Sequence, residues 1–187
     1  MAAAPARRRI LDAALRRFAA DGVVAATLDD VRRDARASVG AVYHHFPDKQ
    51  ALVDAVRADA LAGYQEAFAA VLERHVSAED GVRAVVAFHL AWCAEHPDEA
   101  RLLLEGRPAG AGELNREFFA RVIAWWRPHA HYGAVRDLDV VLLHALWLGP
   151  ATEVARHWLG GRVRRPTKAD AALLADAAWA ALRKDSP

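Results

Sequence analysis

The chain is poor in the residues that build secreted scaffolds, metal centres and membrane spans. Its 187 residues include one cysteine, Cys93. No internal disulfide can form, and a reducing compartment fits. One cysteine among scattered histidines does not reproduce a zinc-ligand spacing, so no metal and no cofactor is expected. No apolar run approaches the ~20 residues required to cross a bilayer, so no membrane partner is expected. Arg7, Arg8 and Arg9 are followed by Asp12, Arg16 and Arg17 rather than by an apolar stretch. No signal peptide is therefore expected, and the expected location is the cytoplasm. The alternation of a half-buried strand is also missing. The glycine-rich stretch from Gly106 to Gly112 has neither a preceding strand nor a following Gly-Lys-Ser/Thr, so it reads as a linker and not as a phosphate cradle.

Hydrophobic residues make up 54% of the chain and charged residues 26%. That is enough apolar material for a real core in one or two domains of a soluble globular protein. The net charge is +1 but unevenly spread. Residues 1–57 hold ten Lys and Arg against seven Asp, and the remainder holds fifteen cations against seventeen carboxylates. A basic head on a mildly acidic body is the polarity expected when one end meets phosphate.

Apolar residues recur at three and four positions almost throughout, which predicts an all-α fold. Ile10, Leu11, Ala14, Leu15 and Phe18 form one stripe of a helix over Arg7–Ala20, and Gly22 supplies its stop. Thr27 with Asp30 reads as a capping pair for a helix of about two turns ending near Ala35. Arg36 and Ala37 make a tight connection, and Ser38 caps a second short helix over Val39–His45. Pro47 and Asp48 break it, and a long helix begins at Lys49 with Leu52, Val53, Val56, Ala60, Leu61, Tyr64, Phe68 and Val71 on its core stripe. Beyond His75 a helical bundle is expected, with loops at Ser77–Gly81, His96–Asp98 and Gly106–Gly112. Its later helices should span Glu113–Trp126, Val135–Leu159 and Lys168–Arg183, with Pro150 bending or dividing the second. The expected domains are residues 1–50 and 51–187.

Two short helices joined by a tight turn, between an amphipathic helix and a long one, are the arrangement of a helix-turn-helix. The run Ile10-Leu11-Asp12-Ala13-Ala14, Phe18, Gly22, Thr27-Leu28, Val31, Ala35 and then Ser38 through Leu52 resembles the TetR family DNA-binding domain. The stretch Tyr43-x-His45-Phe46-x-x-Lys49-x-x-Leu52 is its most specific part. Leu148-Gly149-Pro150-Ala151 and Trp158-Leu159-Gly160-Gly161 are similar, more loosely, to a late dimerisation helix of that family. The resemblance implies a transcriptional regulator that binds a double-stranded DNA operator as a homodimer and responds to a small-molecule effector.

On that reading Thr27 and Ser38 offer helix N-termini to phosphate, and Tyr43 and Lys49 offer a hydroxyl and an ammonium. Val39, Gly40, Ala41 and His44 are the candidates for base-edge contact. Val39 departs from the Lys or Arg common after the capping serine, and Arg36 stands where the family commonly has glycine. Readout would then rest on thymine methyl contacts and His44, with Arg36 compensating. Phe46 reads as core. His44 and His45 make a poor metal pair, because adjacent helix positions do not face one another.

Effector-binding candidates are Phe88, His89, Trp92, Phe118, Phe119, Trp126 and Trp147, with His129, His131, His144, Glu105 and Arg107 as further polar groups. Each of the aromatics has plain core packing as its alternative. Cys93 lacks any sequence signature of a partnering base, so nucleophilic chemistry is not expected. An alanine-rich last helix with Leu173, Leu174 and Trp179 is expected to pair with Val140, Leu143, Trp147, Val154 and Trp158 across a two-fold axis. The combined reading is a repressor, not an enzyme, released from its operator by a hydrophobic or aromatic effector. The alternative is a helical enzyme or cofactor-binding bundle whose N-terminus serves only interaction.

Overall fold

The computed structural model describes residues 3–106, 108–109 and 111–184, with side chains from residue 6 onward. Nine helices form among the described residues, in the order α1 (Ala3–Ala25), α2 (Leu28–Asp34), α3 (Val39–His45), α4 (Lys49–Leu72), α5 (Ala78–Glu95), α6 (Pro97–Glu105), α7 (Gly112–His131), α8 (Val140–Leu159) and α9 (Lys168–Leu182). They divide into two compact units, residues 1–62 with 98–111 and residues 63–97 with 112–187. The division does not fall as a single cut near residue 50. One continuous helix, α4, belongs to the first unit through Ala62 and to the second from Gly63.

In the first unit the stripe on α1 is buried as expected, with Ile10, Leu11, Ala14 and Phe18 at most 4% exposed. They pack with Val31 of α2, Val42 and Phe46 beside α3, Leu52, Val53 and Val56 of α4, and Leu102 of α6. Gly22 adopts φ 79°, a conformation natural to glycine alone, and the chain makes one further short turn before Ala25. At α2 the full capping box forms between Thr27 and Asp30. Those hydrogen bonds from Thr27 hold the Asp30 carboxyl below the usual range.

The second unit is built on α5, α8 and α9 packed against one another, with α7 and the C-terminal half of α4 completing it. Arg121 of α7 reaches Glu66 and Glu73 of α4, and Gln65 donates to Asn115. The end of α9 is clamped by the segment before α8, where Val135 bridges Arg183 and the Arg136 amide donates to the Leu182 carbonyl.

Several bounds differ from the sequence expectation. Ser77 is a cap and not the start of a loop, so α5 begins at Ala78 and carries Gly81 inside it. That glycine is required by packing: a Cβ there would overlap the Trp125 indole, whose Nε1 donates to the His75 carbonyl at 2.8 Å. Overpacking typically costs 1–3 kcal/mol and helix propensity returns about 1. With the Cβ overlapping the indole the cost sits at the upper end of that range, and Gly81→Ala is expected to lose up to about 2 kcal/mol in urea denaturation. α7 continues past Trp126 to His131, and α8 begins only at Val140, because Asp139 caps it and Val135 is spent on the bridge. Pro150 does not divide α8. No helix among the described residues is long and apolar enough to cross a membrane.

Candidate functional site

The connection between α2 and α3 sets the geometry of the N-terminal surface. α2 ends with Arg36 N–H donating to Arg33 C=O at 3.1 Å and Ala37 N–H to Arg32 C=O at 3.0 Å, a Schellman closure. Its left-handed position is filled by Arg36, at φ 50° the only non-glycine residue with positive φ among the described residues. A side chain there costs roughly 1–2 kcal/mol that glycine avoids. Arg36→Gly is thus expected to raise stability by about 1 kcal/mol in thermal melts, with a loss of operator affinity only if the guanidinium touches DNA.

Ser38 then caps α3 by accepting from the Ala41 amide at 3.2 Å. The helix buries Val42, and the Phe46 side chain just beyond it is also core. Val39 at 57% and Tyr43 at 55% exposure point outward, and Gly40 and His44 are exposed with them. Ala41 is half-buried. Val39, Gly40, Tyr43 and His44 are thus the exposed residues of α3, Ser38 at its start and Thr27 at the start of α2 are exposed as well, and Phe46 is buried. The His44 and His45 rings meet edge to face with centroids 5.0 Å apart, and no group of three or more His, Cys, Asp or Glu that could hold a metal ion occurs among the described residues.

One charge expectation changes in three dimensions. Lys49 does not simply project into solvent: its Nζ donates to the Val24 carbonyl at 2.8 Å, closing the end of α1. Two of its three donors remain for another partner. Four of the ten cations in residues 1–57 are paired with carboxylates, which leaves the basic excess of the head in place. Arg8 pairs with Asp12 and Asp59, Arg17 with Asp21 and Asp34, and Arg32 and Arg33 with Asp29 and Asp30. Arg9, Arg16 and Arg36 have no carboxylate partner among the described residues, and Arg7 lies over the Phe46 ring at 5.6 Å.

In the second unit the structure gathers most of the effector candidates into one aromatic cluster. Tyr64 stands at its centre, with Trp92 at 4.9 Å, Phe88 at 5.7 Å and Phe68 at 6.1 Å between ring centroids. Phe118 and Trp147 both pack on Phe68, Trp126 packs on Trp147, and Phe119 reaches the group only through Phe118. The Tyr64 hydroxyl bonds to His89 Nδ1 at 2.8 Å, and on the other ring nitrogen Thr152 Oγ1 lies at 3.4 Å and Cys93 Sγ at 4.0 Å. Tyr64 and Thr152 were not picked out as polar groups by the sequence, since nothing local links positions 25 and 63 residues from His89. His129 packs at a tilt against Trp125 instead, His131 and His144 are exposed, Glu105 is exposed, and Arg107 lies outside the described residues.

Burial, reinforced by His144, pushes the His89 imidazole down to about 4, and burial raises the Cys93 thiol to about 12. Burial also raises the Tyr64 phenol. The cluster is therefore neutral at physiological pH, and Cys93 has a histidine neighbour without becoming a thiolate. Unfolding frees His89 to its ordinary value of 6.5. Its contribution to stability is complete above that pH and lost as pH falls from 6.5 towards 4, by up to roughly 3 kcal/mol. Denaturant midpoints at about pH 7.5 and about pH 5 should differ, and His89→Gln should shrink the difference.

Trp147 and Leu143 were expected at a dimer contact, but they are 3% and 4% exposed within the chain itself, and Trp147 Nε1 donates to the Val82 carbonyl at 3.0 Å. The core of a single chain has claimed these two residues, whereas Val140 is exposed and Val154 and Trp158 are half-buried. The large apolar residues left outside on these helices are Val140, Val141 and Leu142 on α8 and Leu173 on α9, at 36%, 74%, 44% and 69% exposure.

Comparison with known proteins agrees with this geometry. Residues 10–56 match the model of bacterial regulatory proteins, tetR family. The chain is 30% identical over 174 residues to the HTH-type transcriptional repressor KstR2 of Rhodococcus jostii, covering 87% of this chain and 85% of that one. It is 52% identical over 52 residues to the HTH-type transcriptional regulators TtgW and SrpR of Pseudomonas putida, a match that spans 28% of this chain and only 39% and 24% of theirs. The solved structure of a TetR family transcription regulator from Marinobacter aquaeolei shares the fold at TM-score 0.82 and 18% identity, covering 97% of both chains. With a helix-turn-helix seated on its own core, a family-model match over residues 10–56 and a likeness to a repressor over 87% of its length, the chain belongs to the TetR family of bacterial regulatory proteins.

Proposed function

We propose that the protein is a cytoplasmic, non-enzymatic transcriptional repressor that binds a double-stranded operator as a homodimer and leaves it when a small hydrophobic or aromatic effector binds. The observation that carries this reading is α3, capped by Ser38 and anchored by Val42 and Phe46, with Val39, Gly40, Tyr43 and His44 turned outward. Such a helix presents base-contacting side chains to a major groove. Tyr43, the free donors of Lys49, Thr27 and Ser38 serve phosphate, while Val39, Gly40, Ala41 and His44 face the bases and Arg36 flanks them.

Val141 and Leu142 of α8 with Leu173 of α9 are the outward apolar residues we assign to an isologous contact between copies. Each copy then brings one α3 to a half-site, with the half-sites about one DNA turn, ~34–36 Å, apart or a multiple of it. The effector site is assigned to the neutral aromatic cluster around Tyr64 and His89, whose few polar groups, Tyr64, His89 and Thr152, would orient an otherwise apolar ligand. Release follows only if the effector binds the DNA-free form more tightly.

The test is selection of genomic fragments by the purified full chain, followed by gel-shift and light scattering. A discrete operator with two half-sites bound by a dimer supports the reading. Binding indifferent to sequence, or a stable monomer on DNA, removes it.

A further inference from the structure

The second unit carries an open groove of about 640 Å³ between α5 and α9, formed by none of the residues of the aromatic cluster. Its walls are alanine: Ala84, Ala87 and Ala91 on α5 face Ala171, Ala172 and Ala175 on α9. Leu90 and Trp158 add larger apolar surface. The volume falls within the range of ligand pockets, and six methyl groups leave no projecting knob to shape it for a branched body. An unbranched chain lies flush against such walls.

The polar lining has one sign. It includes Arg83, Arg165 and Lys168 and no carboxylate. Arg83 is already satisfied by Glu79 and Asp176, and the Thr167 hydroxyl is committed to Asp170. Arg165 lies over the Trp158 ring at 5.7 Å, and neither it nor Lys168 has a carboxylate partner among the described residues. Two uncompensated cations beside an apolar trough are complementary to a molecule with one anionic end and one greasy end.

We propose that this groove binds a single-chain anionic amphiphile, a long-chain carboxylate, with its alkyl chain along the alanine walls and its head between Arg165 and Lys168. The proposal does not depend on operator binding or on the aromatic cluster.

Titration of the full chain with dodecanoate below its micelle concentration, followed by calorimetry and Trp fluorescence, tests it. Saturable one-to-one binding is expected. Arg165→Gln with Lys168→Gln should weaken it at least about tenfold, as should replacing the carboxylate by a neutral dodecyl alcohol. Ala87→Phe, at an exposed position inside the groove, should block binding without disturbing the fold, while Tyr64→Phe in the aromatic cluster should leave it unchanged. Absence of saturable binding, equal affinity for the neutral analogue, or indifference to both groove variants overturns the proposal. So does attachment to phosphatidylglycerol vesicles in place of free dodecanoate. A change in oligomeric state on Ala87→Phe without dodecanoate binding overturns it too, because the groove would then seat a second copy.

Discussion

Gly40→Glu is expected to lower operator affinity by at least about a hundredfold while leaving the protein as stable as before or slightly more so. Gly40 is the second residue of α3, and a Cβ placed there meets nothing within 4 Å. Glycine inside a helix costs about 1 kcal/mol relative to a good helix former, and a carboxylate in the first turn is favoured by the helix dipole. The free protein therefore has every local reason to accept the change. On DNA the same carboxylate would stand among phosphates, and like charges brought together across an interface cost several kcal/mol, of which about 2.8 is already a hundredfold. Fluorescence anisotropy on the selected operator, alongside a thermal melt, reads both effects. Unchanged affinity would mean that α3 does not enter the groove.

Trp147→Ala is expected to cost about 3–5 kcal/mol, a large part of the 5–15 kcal/mol by which domains of this kind are stable. The indole is 3% exposed, packs on Phe68, Trp125 and Trp126, and bonds through Nε1 to the Val82 carbonyl. Truncation leaves a cavity that these rings cannot close. Trp147→Phe retains most of the packing and loses the hydrogen bond, so it should cost much less, on the order of 1–2 kcal/mol. Urea midpoints of the two variants give the comparison. A Trp147→Ala protein of unaltered stability but altered ligand affinity would return this residue to the lining of a ligand cavity.

Lys49 shows how one residue can satisfy two accounts at once. The motif resemblance assigns it to DNA, and the fold gives its ammonium the Val24 carbonyl. Loss of affinity in a Lys49 variant must accordingly be read beside its stability, because the carbonyl at the end of α1 loses a partner as well.

The sequence by itself determined the helices and their punctuation, because caps and stops are local. Thr27 with Asp30, Ser38, Asp48 and Thr167 with Asp170 act within three residues, and Ile10 to Phe18 bury the stripe their spacing predicts. The helix-turn-helix was legible for the same reason, including the odd placement of Arg36, whose positive φ explains why glycine suits that position. Only the tertiary structure decided which of two apolar faces a helix spends on its own core. Periodicity gives α8 a stripe containing Leu143 and Trp147 but does not say whether α5 or another chain covers it. Likewise, the His89–Tyr64 pair, the Lys49–Val24 closure and the Gly81–Trp125 approach join residues 25 or more positions apart. Such contacts are selected by the packing of whole helices, a global minimum over many side chains that no local spacing encodes.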